Sequence, residues 1–135
     1  MTFPEAMDKT YIESSDKYSI FYRQIRQQFQ MSGINVVDDP EEATAIFSLK
    51  SDQTGQRVLS VSTRNVPTEF EVFYSITYEL TTSNLVLLPL RTQTLVRDYT
   101  WDEKLVLGKE KEEKLLRKAI VDDLTRIVLI QLSTL

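Results

Sequence analysis

The sequence contains no cysteine and no histidine. The first absence excludes disulfides, thiolate zinc sites and cysteine nucleophiles, and the second excludes every histidine-based triad. Histidine is the usual acid–base group near neutral pH, so its absence also weighs against an enzyme and leaves carboxylates and lysines as possible actors. Glycine occurs only at Gly33, Gly55 and Gly108. Each stands alone, so there is no glycine-rich phosphate loop. No apolar run is long enough to span a bilayer, and no secretory leader is visible. The chain opens Met-Thr-Phe-Pro-Glu, as either a cytoplasmic protein or an exported one without its leader. A chain without cysteine suits a reducing cytosol and a periplasm equally.

What is present is enough for one domain spanning 1–135, with 41% apolar and 27% charged residues. A chain of this length buries a core without covalent staples. The net charge of −4 argues against a general nucleic-acid binder. It leaves room for a local anion site, because clustering matters more than the sum.

The most regular stretch is "EFEVFYSITYEL" (69–80), in which Phe70, Val72, Tyr74, Ile76, Tyr78 and Leu80 alternate with mostly polar residues. That period is a strand with one dry face. Upstream, "DKTYIES" (8–14) reads as a short strand, and Ser14, Ser15 and Asp16 are N-cap candidates for the helix that follows. Tyr18, Phe21, Tyr22, Ile25 and Phe29 form its apolar stripe, and Gly33 suits a left-handed cap after its last turn. Segments 44–50 and 56–63 have strand character, and "SDQTG" between them reads as a hairpin link with Gly55 at positive φ. A strand 85–101 follows the turn at Ser83 and Asn84, with Pro89 marking an edge or a bulge. From Lys109 onward one long helix carries a core stripe at Leu116, Ile120, Leu124, Ile127 and Val128.

The expected fold is therefore an α+β two-layer sandwich, with two helices on one face of a mainly antiparallel four- to five-stranded sheet. The helices would cover the face from Phe70 to Leu80, the alternative being a strand buried between two sheets. Phe73 interrupts the polar side of its strand, and Leu95, Tyr99 and Trp101 share one side of the last strand with Val96 on the other. Apolar residues on both sides of a sheet point to a second body packed against it, or are ordinary scattered surface residues.

Hairpin geometry also groups charges. Arg64 precedes the strand 69–82, and the end of the antiparallel strand 85–101 returns to the same edge, with Lys104 and Lys109 next in the chain. These three cations are expected at one end of the domain, beside the apolar segment "LVLG" (105–108) with Leu105 and Leu107. Cations beside an apolar loop suit an amphiphile with anionic head groups, whereas a solvated charge run is the plain alternative. In the first helical turns Glu110–Lys114 and Glu113–Arg117 have i,i+4 spacing for ion pairs. Glu41-Glu42 and Asp122-Asp123 are adjacent in sequence and do not converge as a two-acid hydrolase requires. No metal site and no cofactor is implied.

Four stretches resemble the lipopolysaccharide-assembly lipoprotein family LptE: "SDKYSIFYRQIRQQFQMSGINVVDD" (15–39), "RNVPTEFEV" (64–72), "VLLPLRTQTLVRDYTWD" (86–102) and "GKEKEEKLLRKAIVDDLTRIVLIQL" (108–132). The resemblance implies two helices on one sheet face and no enzymatic activity. It implies a plug inside the β-barrel of a partner, LptD, with which lipopolysaccharide is delivered to the cell surface. It places the protein at the outer membrane, on its periplasmic side, held by a lipid anchor on an N-terminal cysteine that this chain lacks. Two basic residues of the family implicated in lipopolysaccharide contact match Arg64 and Lys109, and Lys104 joins them by position. Phe73, Trp101, Leu105 and Leu107 are the expected partner-facing residues. The alternatives are a purely structural plug that does not touch lipopolysaccharide, and a small enzyme using carboxylates.

Overall fold

In the computed structural model, residues 1–101 and 108–135 are described. The alternating segment forms the middle of a long antiparallel ladder. It is strand β4 (Pro67–Thr81), counted after β1 (Lys9–Ser14), helix α1 (Ile20–Met31), β2 (Asn35–Val37) and β3 (Ala45–Val61). β5 (Val86–Thr100) and helix α2 (Lys109–Ser133) follow. The sheet order is β2-β1-β3-β4-β5. β3, β4 and β5 pair antiparallel, while β1 pairs parallel with both β2 and β3. The sheet is thus mixed, with the antiparallel part the larger.

One face is dry, as the alternation requires. Phe70, Val72, Tyr74, Ile76, Tyr78 and Leu80 are all buried. Phe21, Tyr22, Ile25 and Phe29 of α1 and Ile120, Val121, Leu124, Val128 and Leu132 of α2 close over them. The Phe29 ring meets Phe47 edge-on at 5.5 Å, and Phe47 stacks on Tyr78 at 5.7 Å. Each large side chain removed from water in this way contributes about 1.5–3 kcal/mol. The Tyr78 hydroxyl donates to Gln131, so the polar tip of a buried ring is satisfied by α2.

The ends of α1 differ from expectation at one side and agree at the other. The N-cap is Ser19, whose hydroxyl accepts from the Tyr22 N–H at 2.9 Å. Ser14 and Asp16 instead build the preceding turn, with Asp16 accepting from the Tyr18 N–H. Tyr18 therefore lies outside the helix and is 87% exposed. At the other end Gly33 has φ +88, with Ile34 N–H to Phe29 O and Gly33 N–H to Gln30 O. That pair of bonds is a Schellman cap, which requires the left-handed residue.

The hairpin expected at 51–55 does not form. β3 runs through it as one 17-residue strand, with a register shift between Leu49 and Ser51. Gly55 lies opposite Phe73, and a Cβ there would come within 3.0 Å of the ring. Its role is to make room for an aromatic side chain and not to turn the chain. Pro89 does sit at an irregularity on an edge strand: Tyr78 pairs with Arg91 but Leu80 with Leu88.

Candidate functional site

The turn between β3 and β4 is built by Ser62. Its hydroxyl accepts from the N–H groups of Arg64 and Val66, and its backbone bonds to Val66 and Asn65 close the loop. Asn65 takes φ +63, a left-handed conformation that asparagine tolerates better than most residues. Arg64 thus stands at the tip of a hydrogen-bonded turn. Across the ladder the Trp101 N–H donates to Thr68 O at 2.8 Å, which carries the β4–β5 pairing one residue past Thr100. Ser62, Arg64, Val66, Pro67, Thr68, Thr100 and Trp101 together line an open cavity of about 300 Å³. The Trp101 Nε1 is buried, with no acceptor among the described residues.

Lys109, the first residue of α2, is at the same end. Its ammonium lies 4.5 Å from the centre of the Phe70 ring, and Phe70 is the fourth residue of β4. Phe70 in turn stacks on Tyr99 at 5.3 Å. The Lys109 ammonium is also 3.0 Å from Glu113, one turn along. The same carboxylate accepts from the Tyr99 hydroxyl. With its amide nitrogen turned toward Glu113, Gln56 donates to it as well. A cation over an aromatic face and beside a carboxylate is attracted by both.

This network sets the protonation states. Burial opposes the charge on Glu113, but the Tyr99 hydroxyl, Lys109 and Arg117 outweigh it and hold the carboxyl below its usual value. Burial, followed by the bond to Glu113, pushes the Tyr99 hydroxyl well above the ordinary tyrosine range. The shifts favour a Glu113 carboxylate beside a neutral Tyr99 hydroxyl at neutral pH. A general acid would need the opposite shift at its carboxyl.

Other expected positions fall elsewhere. Phe73 lies on the open face of the sheet, opposite to the buried side of β4, and pairs in register with Val96, which is 49% exposed. The Arg57 guanidinium sits 4.6 Å over its ring and 3.5 Å from Glu71. Phe73 and Trp101 consequently belong to different surfaces. Lys104, Leu105 and Leu107 lie outside the described residues. The anticipated Glu113–Arg117 pair is replaced by Glu113–Lys109, and Arg117 donates to Thr54 at 2.8 Å. Among the described residues Glu110 and Lys114 form no ion pair with each other. Sequence reasoning overlooked Glu113 as the holder of Lys109, although the i,i+4 spacing of the two was visible.

The comparisons with known proteins agree with this architecture. The family model for lipopolysaccharide assembly, LptE, matches residues 7–132. The LPS-assembly lipoprotein LptE of Yersinia enterocolitica is 27% identical over 121 residues, covering 88% of this chain and 58% of the relative. That of Yersinia pestis (strain Pestoides F) is 24% identical over 132 residues, covering 97% of this chain and 63% of the relative. The chain thus spans about three fifths of these curated relatives. Among solved structures, rare lipoprotein B from Shewanella oneidensis superposes with a TM-score of 0.79 at 21% identity, over 93% of this chain and 94% of that one. Lipoprotein B from Nitrosomonas europaea gives 0.79 at 22% identity, over 98% and 90%. At such identities the structures speak for the fold alone.

Proposed function

The chain belongs to the LptE lipopolysaccharide-assembly family, and we propose that it acts without catalysis at the outer membrane. In this reading it plugs and stabilises an LptD β-barrel and binds lipopolysaccharide during transfer to the cell surface. One observation supports the second half: Arg64 lines a cavity walled by Val66, Pro67 and Trp101, and Lys109, 45 positions on in the chain, lies over Phe70 near the start of β4, toward the same end of the domain. A guanidinium and an ammonium next to apolar walls suit the phosphates and acyl roots of a glycolipid, since phosphate–cation bonds are charge-assisted. The open face around Phe73 and Val96 is the surface offered to the barrel wall.

The double variant Arg64→Asp/Lys109→Asp tests the contact. Lipopolysaccharide binding by the purified domain is expected to weaken by about tenfold or more, with the circular dichroism spectrum unchanged. Equal binding at matched salt would remove the contact. A second reading is favoured by the bonds of Lys109 to Glu113 and Phe70. They make the lysine an internal clasp for α2, and the protein a purely structural plug.

A further inference from the structure

A different feature lies between the two helices. On α1, Ile20, Arg23 and Gln24 stand at i, i+3 and i+4, and on α2, Lys111, Lys114, Leu115 and Lys118 stand at i, i+3, i+4 and i+7. Those spacings put each set on one side of its helix, and the two sets line a single open groove of about 470 Å³. The floor is apolar. Ile20 packs against the core, and Leu115 is 57% exposed. The rim carries four cations: Arg23, Lys111, Lys114 and Lys118. None of them is in an ion pair among the described residues, whereas Arg26, Lys50, Arg57, Arg97, Lys109 and Arg126 each meet a carboxylate. In a chain with 20 acids against 16 bases, four like charges left together around an apolar floor are a local departure from the overall balance.

The helices also help. Residues 20–24 face 111–118, and Gln24 and Gln28 face Asp122 to Leu129 further on, so the two helices run in the same direction. Their N-terminal halves, the positive ends, flank the groove together.

We propose that this groove binds an anionic amphiphile, a phosphate headgroup with its acyl chain. Phosphate is held by the cations of the rim, and the first carbons of the chain lie on Ile20 and Leu115. The ligand class is that of the reading above, but the site is separate and rests on the groove alone. An acidic protein helix fits less well, because a helix in a groove needs several turns of apolar floor. Further along the helices, a second cavity is lined by Gln24, Gln28, Asp122, Thr125 and Arg126 together with Met1 and Leu129, so polar groups and a carboxylate interrupt the apolar floor.

The test is a titration of the ¹⁵N-labelled domain with dodecyl phosphate below its micelle concentration, with inorganic phosphate and dodecyl maltoside as separate arms. Dodecyl phosphate is expected to shift the amides of Ile20, Arg23, Gln24, Leu115 and Lys118 in a saturable, salt-sensitive way. Inorganic phosphate should bind far more weakly and the neutral detergent not at all. Lys114→Glu/Lys118→Glu, at exposed positions, should weaken binding by about tenfold. Leu115→Asn should weaken the amphiphile but not inorganic phosphate. Arg64→Asp/Lys109→Asp should leave these shifts intact, which separates this site from the Arg64 end of the domain. Absent groove shifts, unchanged affinity in the Lys114/Lys118 variant, equal binding of the neutral detergent, or an acidic peptide shifting the groove while dodecyl phosphate does not would each overturn the proposal.

Discussion

Lys109 shows how one residue can serve two ends. Its position at the start of a helix is unfavourable to a cation, by about 0.3–1 kcal/mol when exposed. Glu113 and the Phe70 ring offset that locally. The lysine stays 27% exposed in its side chain, so it keeps a face toward solvent while its reach is fixed. Glu113→Gln removes the carboxylate that accepts from Lys109 and Tyr99, and the expected loss is about 1–3 kcal/mol at neutral pH. The sign with pH follows from the direction of the shift. Glu113 is held below its usual value near 4.5, so its contribution is complete above that value and disappears as pH falls through the lowered one. Denaturant melts of both proteins should therefore differ at pH 7 and converge as acidification passes through the lowered value. A gap that grows in acid would refute the assignment. The residue itself was visible in the sequence but its partner was not, because Glu113 has cations at both i−4 and i+4 and only the fold chooses between them.

At the scale of elements, the alternation of β4 and the stripes of both helices were legible because each segment has one dry face and a partner that needs it. The misreading of β3 has a physical cause. Ser51, Asp52, Gln53 and Thr54 look like turn residues because they are polar, yet in the fold they are strand residues, and Asp52 and Thr54 have side-chain partners within the fold. Asp52 accepts from the hydroxyls of Tyr74 and Ser19, and Thr54 accepts from Arg117. Polarity on a helix-facing side announces a hydrogen-bond network only when its partners, distant in sequence, are known. Ser19 likewise passed unnoticed as the cap because Ser14, Ser15 and Asp16 precede it with the same chemistry. It both caps α1 and ties that helix to β3 through Asp52. Ser19→Ala should cost about 1–2 kcal/mol, read as a lowered melting temperature. An unchanged melting temperature would mean that another group caps α1.

As a whole the molecule has three surfaces of different character. One end carries Arg64, Trp101 and Lys109, the open sheet face carries Phe73 and Val96 above a ladder of paired hydroxyls, and the helix layer carries the cationic groove. Ser75 with Thr94 and Thr77 with Thr92 make that ladder. No helix among the described residues is long and apolar enough to cross a membrane. The division between a lipid-binding end and a barrel-facing sheet is the central claim, and position-specific photocrosslinking in the assembled complex tests it most directly. A photoreactive residue at Val66, on the wall of the end cavity, is expected to capture lipopolysaccharide, and one at Val96 to capture the barrel. Lipopolysaccharide adducts from position 96 with none from position 66 would contradict the account.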